Sequence, residues 1–301
     1  MNILIVHAHH EPKSFSSALA RQAEQTLVAE GHTVTFSDLY RTGFDPVSDR
    51  RNFTTVKDSK FLKQQQEEMH ATENSGFVSD IESEIEALER CDLLIFSFPL
   101  WWFGLPAILK GWCDRVLAMG RIYGGSKLYE GGVGQATKRA LVLLTTGGGP
   151  ETYDGWSFNP PMTEILRPVH HGTFWFNGFL PLEPFIAWSP ARIAQQERAD
   201  YLERLSKRMQ NIFQEEPIGY PTLAEYTAGP SRSRYFVTVP RSPELLAKTA
   251  RLQHQGQLVE RMVGNQEIFA TVRAFDEQGA RLLLPEATRV TELVNPRLLS
   301  S

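Results

Sequence analysis

The run DLLIFSFPLWWFGLPAILKGWCDR, residues 92–115, constrains the fold more than any other stretch of the chain. Its apolar opening, residues 93–98, has the length and composition of a strand buried on both faces, as in a parallel sheet. Pro99 stops that strand, and Trp101, Trp102 and Phe103 follow together. Pro106 then stands at the first turn of a helix, where its missing N–H costs nothing. Ligands in open α/β sheets lie beyond the carboxyl ends of the strands, where this aromatic loop falls. Three large rings there suit the wall of a pocket for a flat ring, and they equally suit core or subunit packing.

The flanking sequence repeats the same alternation. Residues 2–8 read as a short apolar strand and 9–14 as a polar turn. Ser14 caps a helix carrying Phe15, Ala18, Leu19, Ala23 and Leu27 on its apolar face, and Gly31 ends it. Residues 32–39 alternate as a second strand, 139–146 form the fourth and 180–187 the fifth. Helices are expected over 79–90, 106–118, 162–171 and from Pro190 to about 213. The chain is therefore α/β, a doubly wound five-stranded parallel sheet. Residues 41–75 are polar, weakly periodic and too long for an ordinary connection, so they form a functional excursion or a dimer arm. Residues 121–134, rich in glycine and holding Tyr123 and Tyr129, have the composition of a loop or lid.

Three prolines and two glycines mark residues 217–230 as a linker or surface tail. It divides a main domain, 1–216, from a small α+β extension, 231–301. That extension is expected to hold a strand over 234–239, a helix over 245–263, and strands over 267–275 and 288–294. At 301 residues such a division is ordinary. A net charge of −4 gives no electrostatic case for nucleic acid or an anionic membrane surface. No window is long and apolar enough to span a bilayer, and no charged leader precedes the first strand. Cys91 and Cys113 have neither metal-binding nor redox spacing. A cytoplasmic protein with free thiols is the expectation.

Two loops at one edge of the predicted sheet carry the chemistry. HAHHEPKSFSS follows a strand and opens a helix, where doubly wound folds cradle phosphate. It lacks GxGxxG, but its hydroxyls, lysine and helix amides can hold an anion, or they can simply cap the helix. TTGGGP, residues 145–150, follows the fourth strand. It is either a plain glycine turn or a loop whose open amides meet the polar edge of a flat ligand, with Tyr153 adding a hydroxyl. His7, His9 and His10 are joined by no carboxylate or cysteine cluster, so no metal site is expected. No GxSxG elbow, Cys–His pair or paired-carboxylate motif supports hydrolysis.

Five segments, LIVHAHHEPKSFSSAL, SDLYRTGFDPV, SFPLWWFGLPAILKGWCDRV, LLTTGGGPETY and NGFLPLEP, resemble the FAD-dependent NAD(P)H:quinone oxidoreductases of the DT-diaphorase type, collinearly over about residues 2–217. The resemblance implies a flavodoxin-like fold and a homodimer with flavin at the subunit interface. It implies two-electron reduction of quinones by NAD(P)H, in ping-pong hydride transfer through flavin N5. FAD is the implied cofactor, with FMN as the alternative. By the same resemblance His9, Ser14, Phe15 and Ser16 meet the pyrophosphate and adenosine end, and Arg198 the adenosine. Pro99, Leu100, Trp101, Trp102 and Phe103 underlie the isoalloxazine ring. Thr145, Thr146, Gly147 and Gly148 face its polar edge, with Tyr153 near N1 and O2. Trp102, Phe103, Tyr123 and Phe176 line the substrate pocket, some facing across the dimer.

This chain departs from the family in two places. Asn159 stands where a catalytic histidine assists Tyr153, and Trp101 where the mammalian members carry glutamine. Asparagine donates a hydrogen bond but never becomes a cation, which leaves Tyr153, backbone amides and His170 or His171 to share the task. Similar segments occur in regulatory flavoproteins of potassium efflux systems, and flavodoxin-type electron carriers share the fold; these are the rival readings. The extension faintly resembles a ferredoxin-like unit.

Overall fold

The computed structural model describes residues 1–154, 157 and 159–220, and the backbone of 226–228 and 238–240. The chain divides into two units, Met1–Gly219 and Tyr220–Ser301. The first opens with β1 (Asn2–His7), α1 (Phe15–Ala29) and β2 (Thr33–Asp38). It continues through α2 (Gln64–Asn74), α3 (Ser79–Arg90), β3 (Leu93–Pro99), α4 (Ala107–Val116) and β4 (Arg139–Thr145). Two short turns, α5 (Met162–Ile165) and α6 (Arg167–Val169), lead to β5 (Leu180–Pro181), β6 (Phe185–Ala187) and α7 (Gln195–Met209).

The strands run in the order β2-β1-β3-β4-β5, with β6 also on β4, and every pair is parallel. The order reverses between β1 and β3, the switch point where doubly wound sheets open a crevice. Alternate residues serve opposite faces. Leu4, Val6, Leu94, Phe96 and Val142 share one core with Ile81, Ile85, Leu109 and Trp112 of α3 and α4. Ile3, Ile5, Leu93, Ile95 and Leu141 share the other with Leu19, Leu27, Leu205 and Met209 of α1 and α7. Burial on both faces explains why β3 reads as an unbroken apolar run.

The expected single fifth strand is two short ones. Leu180 lies opposite Arg139 but Phe185 opposite Leu143, so the register slips by one residue in between. Pro181 and Pro184 lack the N–H a continuous ladder needs, and the bulge absorbs the extra residue. The sheet thus has six strands over five positions. The helix expected over 162–171 also breaks, into α5, α6 and a π-turn, His170–Phe174. Pro168 removes a donor in its middle. Pro106 caps α4 instead of entering its first turn, and α7 begins five residues after Pro190 at Gln195, where Glu197 accepts the Ala194 amide at 2.9 Å.

Residues 41–75 are folded onto α3 and α4 and contain α2. Buried Arg115 of α4 donates to Asn52 Oδ1 at 2.8 Å and to the Asp45 carbonyl at 2.6 Å. Buried Glu67 accepts the amides of Lys57 and Asp58 at 2.8 and 2.9 Å. In the second unit β7 (Tyr226–Ala228) pairs antiparallel with β8 (Thr238–Pro240), and β7 falls inside the stretch read as a linker. The helix expected over 245–263 and the strands over 267–275 and 288–294 lie outside the described residues. No helix among the described residues is long and apolar enough to cross a membrane.

Gly111 is where α4 meets the excursion. A Cβ there would lie 2.3 Å from the Pro46 carbonyl oxygen. Gly→Ala ordinarily stabilises a helix interior by about 1 kcal/mol. Here Gly111→Ala is expected to destabilise by about 1–3 kcal/mol, as overpacking does. Urea unfolding of the variant measures the sign; a stabilised variant would show that residues 41–75 do not pack on α4.

Candidate active site

β1, β3 and β4 end in step, with His7 opposite Ser97 and Pro99 opposite Thr145, so three loops leave one edge of the sheet. The first is tied down by His7, which is 2% exposed. Its Nε2 lies 3.0 Å from Ser17 Oγ and its Nδ1 3.1 Å from Ser97 Oγ. Ser17 gives its hydroxyl proton to the Glu11 carbonyl, so His7 Nε2 must donate to Ser17, and Ser97 donates to Nδ1. Burial pushes the imidazole down to about 4, so it is neutral at physiological pH. His9 Nδ1 accepts the Glu11 amide at 2.9 Å, which leaves Nε2–H as its donor. Burial and the adjacent His10 hold its pKa below the usual range.

His9, Ser14, Phe15, Ser16, Thr145 and Arg198 line one groove of about 550 Å³, completed by Lys13, Ala18, Pro190 and Ala191. The groove sits over the N-terminus of α1, whose first turn carries no acidic residue. Ser14 Oγ occupies the Ser17 amide, leaving the amides of Phe15 and Ser16 without intrahelical acceptors. Ser16 Oγ is buried and has no partner among the described residues. Arg198 donates to the carbonyls of Pro190 and Ile193 at 3.2 and 3.0 Å, fixing it at the far wall. Two cations, an unused hydroxyl and a positive helix end give this groove the donor chemistry that suits an anion.

The second loop leaves β3. Trp101 and Gly104 exchange backbone hydrogen bonds of 3.3 and 3.0 Å around Trp102 and Phe103. Both central residues have positive φ, 51° and 57°. Such turns favour Asn-Gly, and bulky residues there are strained by about 1–2 kcal/mol each. The turn throws Trp102 outward, 97% exposed, and leaves Phe103 49% exposed. Trp101 turns back to the first loop, its ring 6.0 Å from that of His9 and 5.6 Å from that of His10. The third loop leaves β4, where Leu100 donates to the Thr145 carbonyl at 2.8 Å. Thr146 Oγ1 donates to the Gly148 carbonyl at 2.8 Å, and space beside Gly147 is open. Tyr153 packs against Trp188, ring centroids 5.5 Å apart.

A model of the flavodoxin-like fold matches residues 1–209. The human ribosyldihydronicotinamide dehydrogenase (quinone) is 40% identical over 217 residues, 72% of this chain and 94% of that protein. NAD(P)H dehydrogenase (quinone) 1 of Cavia porcellus is 38% identical, over 71% of this chain and 78% of its own. Among solved structures, a Klebsiella pneumoniae chain described as a candidate quinone reductase is 34% identical with a TM-score of 0.69, covering 72% and 87% of the two chains. The chain belongs to the flavodoxin-like quinone oxidoreductase family.

Two of the residues expected to line the substrate pocket pack together within one chain. Tyr123 and Phe176 lie together, ring centroids 5.9 Å apart, with Tyr129 edge-on to Phe176 at 5.5 Å. No ring contact joins either to Trp102 or Phe103 among the described residues. Asn159 is half-buried and its immediate neighbour Phe158 lies outside the described residues. His170 lies in the core with its ring 6.2 Å from that of Phe174, tilted by 30°, and burial pushes it down to about 4; burial lowers His171 as well. Burial also pushes the thiols of Cys91 and Cys113 up to about 12, which removes them as nucleophiles. Lys13, the lysine of the first loop, lines the groove as expected, whereas Pro190 and Ala191 went unnoticed as site residues in sequence, where they belong to no binding motif. No group of three or more potential ligands is placed to hold a metal ion among the described residues.

Folded His7 and His170 have pKa values well below the usual 6.5. Between pH 6.5 and about 4 the unfolded chain takes up protons that the folded one refuses, so stability falls as pH falls through that window. Each histidine is expected to contribute a loss of about 3 kcal/mol. Urea unfolding at pH 7, 5.5 and 4 checks this. His7→Gln should flatten the slope by roughly half, and an unchanged slope would mean His7 is not held neutral.

Proposed function

We propose that this chain reduces quinones with a dihydronicotinamide donor through bound FAD, and that it works as a homodimer. The observation that carries the reading is the groove over α1, which runs from the first loop to Arg198. Lys13 and Arg198 offer cations at its two walls, His9 offers Nε2–H, and the orphan Ser16 hydroxyl awaits an acceptor. This donor set suits a diphosphate better than a single phosphate, which favours FAD over FMN. The isoalloxazine ring would then lie along Trp101, Trp102 and Phe103, its polar edge toward Thr146, Gly147, Gly148 and Tyr153. When bound, the flavin would supply the two-electron chemistry, accepting a hydride at N5 from the donor and delivering it to a quinone.

The chain's own residues bind, orient and exclude. The open amides of Gly147 and Gly148, together with the Tyr153 hydroxyl, place donors where negative charge develops. Asn159 adds a neutral donor at best, so Tyr153 carries more of the proton's stabilisation than it would beside a histidine. The strained Trp102–Phe103 turn keeps two rings in solvent, an arrangement that persists where something else covers it. The patch around Tyr123 and Phe176 supplies the missing wall if it comes from a second copy, which gives each pocket residues from both subunits. The donor is NAD(P)H on this reading; relatives are named both for NAD(P)H and for ribosyldihydronicotinamide, and comparing the two rates decides between them.

The flavin released from the purified protein should be FAD by mass, and FMN would overturn the diphosphate assignment. Combining Ser16→Ala with Arg198→Ala should weaken FAD binding by about tenfold or more, as expected for lost charge-assisted hydrogen bonds. Tyr153→Phe should slow reduction of the bound flavin by NADPH more than about tenfold in stopped flow; an unchanged rate removes Tyr153 from the mechanism.

A further inference from the structure

α2 grips the turn that carries Tyr123. Gln65, Glu68 and Thr72 lie at helical spacing on one face. Buried Glu68 accepts the Met119 amide at 2.8 Å, and the Thr72 hydroxyl lies 3.4 Å from the Met119 carbonyl. Gly120, in the left-handed region at φ +93°, sits so close that a Cβ would be 2.9 Å from Met69 Sδ. Its amide donates to the Tyr123 carbonyl at 2.7 Å, closing the turn. With the backbone so held, Gln65 Nε2 reaches the Tyr123 hydroxyl at 3.2 Å.

That last bond fixes a direction. A phenol has one proton and accepts through its oxygen. Gln65 donates to that oxygen, so the Tyr123 proton must go elsewhere, and it has no acceptor among the described residues. The ring itself is half-buried against Phe176, which limits where the hydroxyl points. We propose that Gln65 is a positioning residue: by donating to Tyr123 it commits the phenol to donating outward, to the carbonyl oxygen of a quinone-type acceptor. The inference rests on the reading of Tyr123 as a pocket residue, and it gives the excursion over residues 41–75 a role at the site. Glu68 is part of the device, since its carboxylate holds Met119 in place.

The test compares Gln65→Leu, Gln65→Glu and Tyr123→Phe holoenzymes with benzoquinone and with ferricyanide, an acceptor without a carbonyl. Gln65 is exposed, so the variants should keep the wild-type thermal midpoint. In all three the KM for benzoquinone should rise about three- to tenfold, the effect of one lost hydrogen bond, and in the two Gln65 variants kcat and the KM for ferricyanide should stay unchanged. Adding Gln65→Leu to Tyr123→Phe should cost nothing more, because the two act through one bond. Gln65→Glu discriminates best, since its carboxylate accepts the phenol proton and turns it away from the pocket. A second readout needs no turnover: the Tyr123 Cζ resonance of ¹³C-tyrosine protein, followed against pH. Burial already raises this phenol's pKa while Gln65 opposes the rise, so Gln65→Leu should move the titration to higher pH. An unmoved titration overturns the proposal, as does an equal loss with both acceptors. If the wild-type protein reduces no quinone, the substrate half falls with the proposed function, while the titration alone decides whether Gln65 orients Tyr123.

Discussion

The site depends on the parallel register of three strands. His7 beside Ser97 and Pro99 beside Thr145 bring the ends of β1, β3 and β4 level, so their loops meet at one edge. The hydrogen bonds continue past the strands, from the Ala8 amide to Ser97 and from Leu100 to Thr145, at 2.9 and 2.8 Å. His7 then carries the order sideways into α1 through Ser17. A buried neutral imidazole with both nitrogens used is a rigid link, and it fixes the helix end that forms the floor of the groove. Cofactor affinity on this account is a property of the sheet, expressed through one histidine.

Around that rigid edge the protein stores strain and exposure. Trp102 and Phe103 occupy backbone conformations that asparagine and glycine fill at less cost, and they do so in order to face outward. An isolated chain gains nothing from such a turn. On the proposed function the rings are covered, by a flat cofactor on one side and a second subunit on the other. The Tyr123–Phe176 patch has the complementary character: aromatic, half-buried and braced from behind by α2.

The parts legible in sequence were those governed by apolar patterning and caps. The unbroken run of β3, the Ser14 cap and the Gly31 stop each have a local physical cause visible in a few residues. So does the convergence of HAHHEPKSFSS with TTGGGP, which follows once both loops succeed parallel strands. α2 was missed for an equally physical reason. Among its residues only Ala71 is a buried hydrophobic, while Glu67 and Glu68 are buried by accepting backbone amides, so it has no apolar stripe to detect. The bulge in the fifth strand was hidden because Pro181 and Pro184 affect pairing without altering hydropathy. The packing of Tyr123 on Phe176 depends on tertiary placement, and no local pattern encodes it.

The central claim is that this edge of the sheet holds a flavin that passes electron pairs from a dihydronicotinamide to a quinone. Anaerobic titration of the purified protein with NADPH, followed by benzoquinone, tests it most directly. One equivalent of NADPH per bound flavin should bleach the yellow colour completely, and benzoquinone should restore it at once. A protein that takes up no flavin, or one whose colour NADPH leaves untouched or quinone fails to restore, would contradict the account.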